Sequence, residues 1–179
     1  MSEGPGECHS LQKEELEVLE SIYPDYILDS SDTHGNLKFE VPVEFSESQT
    51  VILSETFSSG TEHQAQTLSL STLPPLLLHV ALPALYPISQ PPIIELIRST
   101  HLWLPYYAKL QALLIDKWQE GNGVLYDWIS YLHDGEFLQD MGLRKDNNTL
   151  GYAPARLTSS YAHTELDYIT QRLNSSHHY

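Results

Sequence analysis

The feature that most constrains the fold is a proline-rich joint between two apolar segments. Residues 86–96 read Tyr-Pro-Ile-Ser-Gln-Pro-Pro-Ile-Ile-Glu-Leu, and an apolar run at 76–82 precedes them. Proline fixes its own φ at about −65° and pushes the residue before it towards extended geometry. The three prolines at 87, 91 and 92 therefore predict a stiff connection that holds the two flanking segments in a defined relation.

An amphipathic helix is predicted over residues 10–23. Apolar side chains recur there at helical spacing, Ser10 can serve as the N-cap, and Pro24 follows the last turn. Glu15 lies inside the apolar face and weakens the pattern in the first turns. The opposite face carries acidic residues, so the helix is expected to turn a charged surface to solvent.

Four strands are predicted. The clearest covers 37–45, where apolar and polar residues alternate with the period of a half-buried strand. Pro42 lies on its polar face and indicates an edge position or a bulge. Residues 58–72 are rich in serine, threonine and glutamine and are expected to form a long loop or an insertion. The other strands are expected over 50–57, 76–82 and 92–97.

The periodicity changes to that of helices after the fourth strand. Apolar residues mark one helix over 110–118 and a second over 124–132, and the Gly121-Asn122-Gly123 turn separates them. The order of elements predicts an α+β fold: one four-stranded antiparallel sheet against an N-terminal helix and two C-terminal helices. A last amphipathic stripe over 159–173 predicts an outlying helix.

Composition disfavours several classes of partner. The chain has 24 acidic and 9 basic residues, with 13 acidic and 2 basic residues in the first 60. Binding to phosphate backbones or to anionic lipid requires clustered lysine and arginine, which the chain lacks. Neither a signal peptide nor an apolar run long enough to span a membrane is recognisable. We therefore expect a soluble protein of the cytoplasm, or of the nucleus as well, with protein partners and neither nucleic acid nor membrane.

No catalytic or metal-binding pattern is recognisable. Cys8 is the single cysteine and lies in a leader rich in glycine, proline and glutamate, which is not a setting that indicates a catalytic nucleophile. The nine histidines are scattered without metal-ligand spacing. The chain is therefore predicted to hold no catalytic residue, no metal and no cofactor.

Several of these segments together resemble the RWD domain, the non-catalytic relative of the ubiquitin-conjugating-enzyme fold. The first helix ends in Ile22-Tyr23-Pro24, and the joint has the Tyr-Pro-x-x-x-Pro-Pro form, as in that family. The resemblance implies an RWD or ubiquitin-conjugating-enzyme-like sandwich and assigns a structural role to six motif residues: Tyr23, Pro24, Tyr86, Pro87, Pro91 and Pro92.

Within that family, the chain is similar to the N-terminal region of RING-between-RING (RBR) ubiquitin ligases. The similar segments are 73–79, Trp103-Leu104, 113–118 and 124–128. The chain departs from such ligases because it has no Cys/His array and hence no RING. The resemblance implies a disordered leader (1–9), an RWD domain (10–138), a linker (139–157) and an amphipathic helical tail leading towards a RING module (158–179).

Two functions are compatible with this resemblance. The first is a non-catalytic interaction module that recruits or positions a partner or substrate for an RBR-type ubiquitin ligase. The alternative is an RWD module of a translation-control regulator, of the stress-response kinase type, that docks a ribosome-associated partner. The acidic face of the first helix is the candidate binding surface. Its residues are Glu14, Glu17 and Glu20.

Overall fold

A computed structural model describes residues 4–31, 35–53, 66–100, 104, 106–146 and 148–152. Its helices are α1 (Pro5–Ile22), α2 (Tyr107–Asp116), α3 (Leu125–His133) and α4 (Glu136–Asp140), with a single 3-10 turn (Pro24–Tyr26) after α1. Its strands are β1 (Ile27–Ser31), β2 (Asn36–Leu53), β3 (Gln66–Ala81), β4 (Ile93–Ser99), β5 (Arg144–Asp146) and β6 (Thr149–Tyr152).

The described strands form one sheet in the order β4-β3-β2-β6-β5, and β1 also pairs with β2. The strands β1 to β4 pair antiparallel in succession, as in a meander. The strand β6 pairs in parallel with the last part of β2, and β5 pairs antiparallel with β6. The predicted α+β architecture, with an antiparallel sheet, an N-terminal helix and C-terminal helices, is confirmed.

The strand boundaries differ from the prediction around the middle of β2. The predicted strands at 37–45 and 50–57 belong to one strand, which the structure describes to residue 53. Its register against β3 shifts between Val41 and Val43 and again between Glu44 and Gln49. Such bulges accommodate extra residues without ending a strand. The polar stretch between the two segments is therefore a bulge, and Pro42 lies at the other irregularity.

Two further segments that the sequence analysis predicted to be irregular are regular structure. Residues 66–72 form the first part of β3, because they pair with the second half of β2. Residues 144–146 and 149–152, inside the predicted linker of 139–157, extend the sheet as β5 and β6. The predicted tail of 158–179 lies outside the described residues, as does Trp103.

The first helix begins earlier than predicted. It starts at Pro5 with Gly4 as N-cap, and the Ser10 hydroxyl instead donates to the carbonyl of Gly6 one turn earlier. Proline suits the first helical position, where its missing N–H has no intrahelical partner to lose. Residues 5–9 of the predicted leader are therefore helical, and Cys8 is buried. None of the described helices is long and apolar enough to cross a membrane.

The core lies between the helices and one face of the sheet. Alternate residues of β2 point inwards, as the sequence period predicts, and α3 packs on that face. The Trp128 indole of α3 donates to the carbonyl of Leu114 in α2 at 2.6 Å and so ties the two helices together. The largest fully buried side chains are Trp128, Tyr86, Phe39, Phe137 and Leu19.

Candidate functional site

The joint connects β3 to β4 and carries four of the predicted motif residues. The Tyr86–Pro87 peptide bond is cis, and both residues are buried. Pro92 is also buried, whereas Pro91 is half-buried. Backbone hydrogen bonds from Tyr86 N–H to Pro83 and from Ser89 N–H to Leu85 close the turn. The joint is therefore a packed part of the fold and not an open loop.

The Tyr86 side chain reaches away from the joint. Its ring is fully buried, and its hydroxyl donates to Glu15 Oε2 at 2.7 Å. The same hydroxyl accepts the backbone N–H of Val124 at 2.9 Å. The backbone N–H of Tyr86 thus bonds within the joint, whereas the partners of its hydroxyl lie on α1 and just before α3. Burial and the neighbouring Glu15 charge both raise the pKa of Tyr86.

Glu15 is the central residue that sequence reasoning missed. Its Oε1 accepts the backbone N–H of Leu125 at 2.8 Å, at the amino end of α3, where the helix dipole favours a negative charge. Burial raises the pKa of its carboxyl, and the hydrogen bonds from Tyr86 and Leu125 oppose that rise only in part. Its position inside the apolar face of α1 was the signal, since a buried carboxylate requires partners.

Two more contacts complete this cluster. The Gln12 amide donates to the carbonyls of Pro83 and Tyr86, each at 2.9 Å. In the turn before α3, a Cβ added at Gly123 would lie 2.7 Å from the Glu15 carboxyl carbon. Because glycine has no Cβ, it lets the backbone approach the carboxylate there. We call Gln12, Glu15, Tyr86, Val124 and Leu125 the joint network.

The hydrogen bonds of the joint network stabilise the fold, and the network offers no reactive group. Its hydroxyl, carboxylate and amide groups all have partners. The single cysteine, Cys8, is fully buried in α1. In the part of the chain that the structure describes, no group of three histidine, cysteine, aspartate or glutamate side chains could hold a metal ion.

The outward face of α1 carries the predicted partner-binding residues. Glu14, Glu17 and Glu20 are all exposed. Val18 and Ile22 are also 52% and 48% exposed, although they are apolar. Glu14, Val18 and Ile22 follow one another at intervals of four and therefore lie on one side of the helix. The surface of α1 is thus mixed acidic and apolar, and not only charged.

A second surface begins where α1 ends, at the motif residue Tyr23. The Tyr23 ring stacks on Tyr26 at 5.1 Å between centroids and on Tyr126 of α3 at 6.0 Å. The His133 ring lies 5.7 Å from Tyr26 and 6.2 Å from Tyr23. Pro24, the other motif residue here, is exposed and opens the 3-10 turn that brings Tyr23 and Tyr26 together.

Carboxylates surround these rings. His133 Nε2 lies 3.0 Å from Glu44 Oε2 on β2, and His133 Nδ1 lies 2.9 Å from Asp134 Oδ1. Burial raises the pKa of Tyr26, and so do the negative charges of Glu44, Asp25 and Asp134. We call Tyr23, Tyr26, Tyr126, His133, Glu44 and Asp134 the aromatic–acidic patch. Its members come from three segments that are far apart in the sequence, so no local pattern could have predicted it.

A protein-family model matches most of the chain. The family model described as RWD domain matches residues 10–135. This range includes α1 from Ser10 onwards, the whole joint and α3, and therefore covers the joint network. No curated protein and no solved structure shows a significant match to the chain.

Proposed function

The chain belongs to the RWD domain family, whose members are protein-interaction modules, and on that premise we propose that it recruits or positions a protein for an RBR-type ubiquitin ligase. The recruited protein is a partner of the ligase or its substrate. Ubiquitin transfer itself is assigned to the zinc-binding module of the ligase, since RWD domains are generally non-catalytic. We place the complex in the cytoplasm or the nucleus.

The observation that carries the proposal is the division of α1 into two faces. Its inner face is fixed by the joint network through Gln12 and Glu15. Its outer face presents exposed carboxylates in line with the exposed apolar side chains of Val18 and Ile22. Protein interfaces commonly combine an apolar centre with a charged rim. A rigid helix with such a face suits recognition of a basic and apolar partner.

The assignment to RBR ligases is supported by similarity of sequence segments. The segment 73–79 lies in β3, and 113–118 includes the end of α2. The segment 124–128 contains two members of the joint network, Val124 and Leu125. The translation-control alternative would use the same acidic face of α1, so the two functions differ in the partner and not in the surface.

Proximity labelling in cells with the chain as bait separates these functions. Enrichment of ubiquitin-ligase components together with a ubiquitinated partner supports the RBR assignment. Enrichment of ribosome-associated proteins instead supports the translation-control alternative. Purified chain that forms a thioester with ubiquitin contradicts a non-catalytic role altogether.

Point substitutions show whether α1 is the binding surface. The double variant Glu14→Lys/Glu17→Lys reverses two charges at exposed positions. The fold should therefore persist, while binding of the partner should be lost. Glu95→Lys is the matched control, because Glu95 is an exposed carboxylate on β4. Deleting residues 1–23 is unsuitable, since it removes Gln12 and Glu15 from the joint network. Equal labelling by the α1 variant and the wild type would exclude this face.

A further inference from the structure

We propose that the aromatic–acidic patch receives an arginine side chain from a basic segment of a partner protein. This inference rests on the proposed function as an interaction module and adds a second contact surface with a defined chemistry. It concerns residues at the carboxyl end of α1, in the 3-10 turn, on β2 and on α3, and not the outward carboxylates of α1.

The rings supply a surface on which a planar cation can stack. Tyr26, Tyr23 and Tyr126 form a row, with interplanar angles of 14° and 28° between successive rings. Tyr126 lies at one end of the row and is 44% exposed, which is high for a large aromatic side chain. The faces of aromatic rings carry partial negative charge and attract cations, and arginine occupies such positions more often than lysine.

The carboxylates supply hydrogen-bond acceptors around His133, which lies beside the Tyr23 and Tyr26 rings. The Glu44 and Asp134 side chains are 53% and 50% exposed. Both contact His133 through one oxygen, and Asp134 Oδ2 accepts the Ser130 hydroxyl at 3.2 Å. The other oxygen of Glu44 accepts no hydrogen bond from a described residue. Within the described ranges their ion-pair partner is His133 and not a lysine or arginine, and about half of each side chain is exposed, so a partner can reach them.

Arginine fits this combination better than lysine. A guanidinium is planar, stacks on aromatic faces and donates hydrogen bonds along its edge at the same time. An ammonium is a strongly hydrated point charge and does not stack. The first 60 residues, which supply three of the patch residues, hold 13 acidic and 2 basic residues. Long-range attraction therefore also favours a basic segment.

The direct test is a titration of the isotope-labelled chain, followed by NMR of its backbone amides at low salt. The probe is acetyl-Gly-Arg-Gly-Arg-Gly-amide, and the matched peptides carry lysine or the neutral isostere citrulline in place of arginine. We expect the arginine peptide to shift amides around Tyr23, Tyr126 and His133. The lysine peptide should bind more weakly, and the citrulline peptide should cause no shift.

Two substitutions identify the patch as the site. Tyr126→Leu removes the exposed ring face, and Glu44→Gln removes a carboxylate charge. Each should weaken binding of the arginine peptide about threefold or more, the size expected for an exposed cation–π contact. The matched controls are Tyr106→Leu and Glu95→Gln, because Tyr106 is 71% exposed and both residues lie outside the patch. Both controls should bind like the wild type.

Several results overturn the inference. Equal affinity for the arginine and lysine peptides, or shifts spread evenly over all acidic surfaces, excludes a specific arginine site. Unchanged binding by both patch variants excludes these residues. If a captured partner is lost with Glu14→Lys/Glu17→Lys but kept by both patch variants, the interaction module stands and the patch inference fails. If no partner is captured while the peptide still shifts the patch, the proposed function fails instead.

Discussion

The joint network and the aromatic–acidic patch both combine tyrosine with glutamate but differ in exposure. In the joint network a tyrosine, Tyr86, is fully buried and shares its hydroxyl between Glu15 and the Val124 N–H. In the patch Tyr126 is 44% exposed, and the Glu44 carboxylate is more than half exposed. A buried polar group without a partner is costly, so removing one member of the joint network should destabilise the fold. The patch carries no such demand, because Tyr126, Glu44 and Asp134 are exposed to solvent.

The largest expected effect comes from removing the central carboxylate of the joint network. Glu15→Ala leaves the Tyr86 hydroxyl without its acceptor and the Leu125 N–H without a partner. We expect the free energy of unfolding to fall by about 3 kcal/mol, measured by urea denaturation. Glu14→Ala, on the exposed side of the same helix, is the control and should change it by less than about 0.5 kcal/mol. Equal effects of the two substitutions would contradict the contrast between buried and exposed carboxylates.

Removing the hydroxyl of Tyr86 or of Tyr126 gives a second comparison of stability, with a smaller expected effect. Tyr86→Phe removes only a hydroxyl, but leaves a buried Val124 N–H unpaired, and should cost about 2 kcal/mol. Tyr126→Phe should cost less than about 0.5 kcal/mol, because its hydroxyl belongs to an exposed side chain. Thermal melts of the two variants beside the wild type measure this difference. A stability loss that is the same in both would show that the Tyr86 hydroxyl is not needed by the fold.

A steric change of one methyl group tests how closely the chain approaches Glu15. Gly123→Ala places a Cβ within 2.8 Å of all three carboxyl atoms of Glu15, so the turn or the carboxylate must move. We expect a loss of about 1 kcal/mol in the free energy of unfolding. Gly6→Ala is the control, because Gly6 lies in α1 with open space around it and alanine should stabilise the helix by about 0.5–1 kcal/mol. The free energy of unfolding is therefore predicted to fall in Gly123→Ala and to rise in Gly6→Ala.

The smallest effect concerns pH. Burial raises the pKa of the Glu15 carboxyl above its ordinary value of 4.5, so the folded protein binds this proton more tightly than the unfolded chain. The contribution of Glu15 to stability is therefore largest below pH 4.5 and falls as the pH rises through the folded-state pKa. The free energy of unfolding of the wild type and of Glu15→Gln is measured by urea denaturation across this pH range. As the pH rises, the wild type should lose stability relative to the variant. A difference that is constant with pH would mean that Glu15 keeps the same pKa on unfolding.

The sequence predicted the parts of the fold that depend on local patterns. The prolines at 87, 91 and 92 marked the joint, the alternation over 37–45 marked an inward face of β2, and the two glycines at 121 and 123 marked the turn before α3. It did not predict that β2 continues through its polar middle, because a bulge and a loop look alike until the pairing partner is known. It likewise gave no sign of β5 and β6, which are short strands held by pairing with β2 and with each other.

The candidate sites were predicted less well, and the reason is distance along the chain. Glu14, Glu17 and Glu20 share one helix, so their exposure followed from the helical period. Tyr23 and His133, by contrast, are brought together only by the folded chain. Glu15 was visible as a break in the apolar face, but its partners, Tyr86 and Leu125, could be named only from the three-dimensional structure.

The bond between Glu15 and Leu125 joins residues 110 positions apart, and this has a consequence for folding on the ribosome. Synthesis at roughly 5–20 residues per second separates the two residues by roughly 5–20 s. During that interval the inner face of α1, with its carboxylate and its apolar side chains, has no α3 to pack against. The amino-terminal helix of a nascent chain therefore remains accessible to chaperones until almost the whole domain has been made.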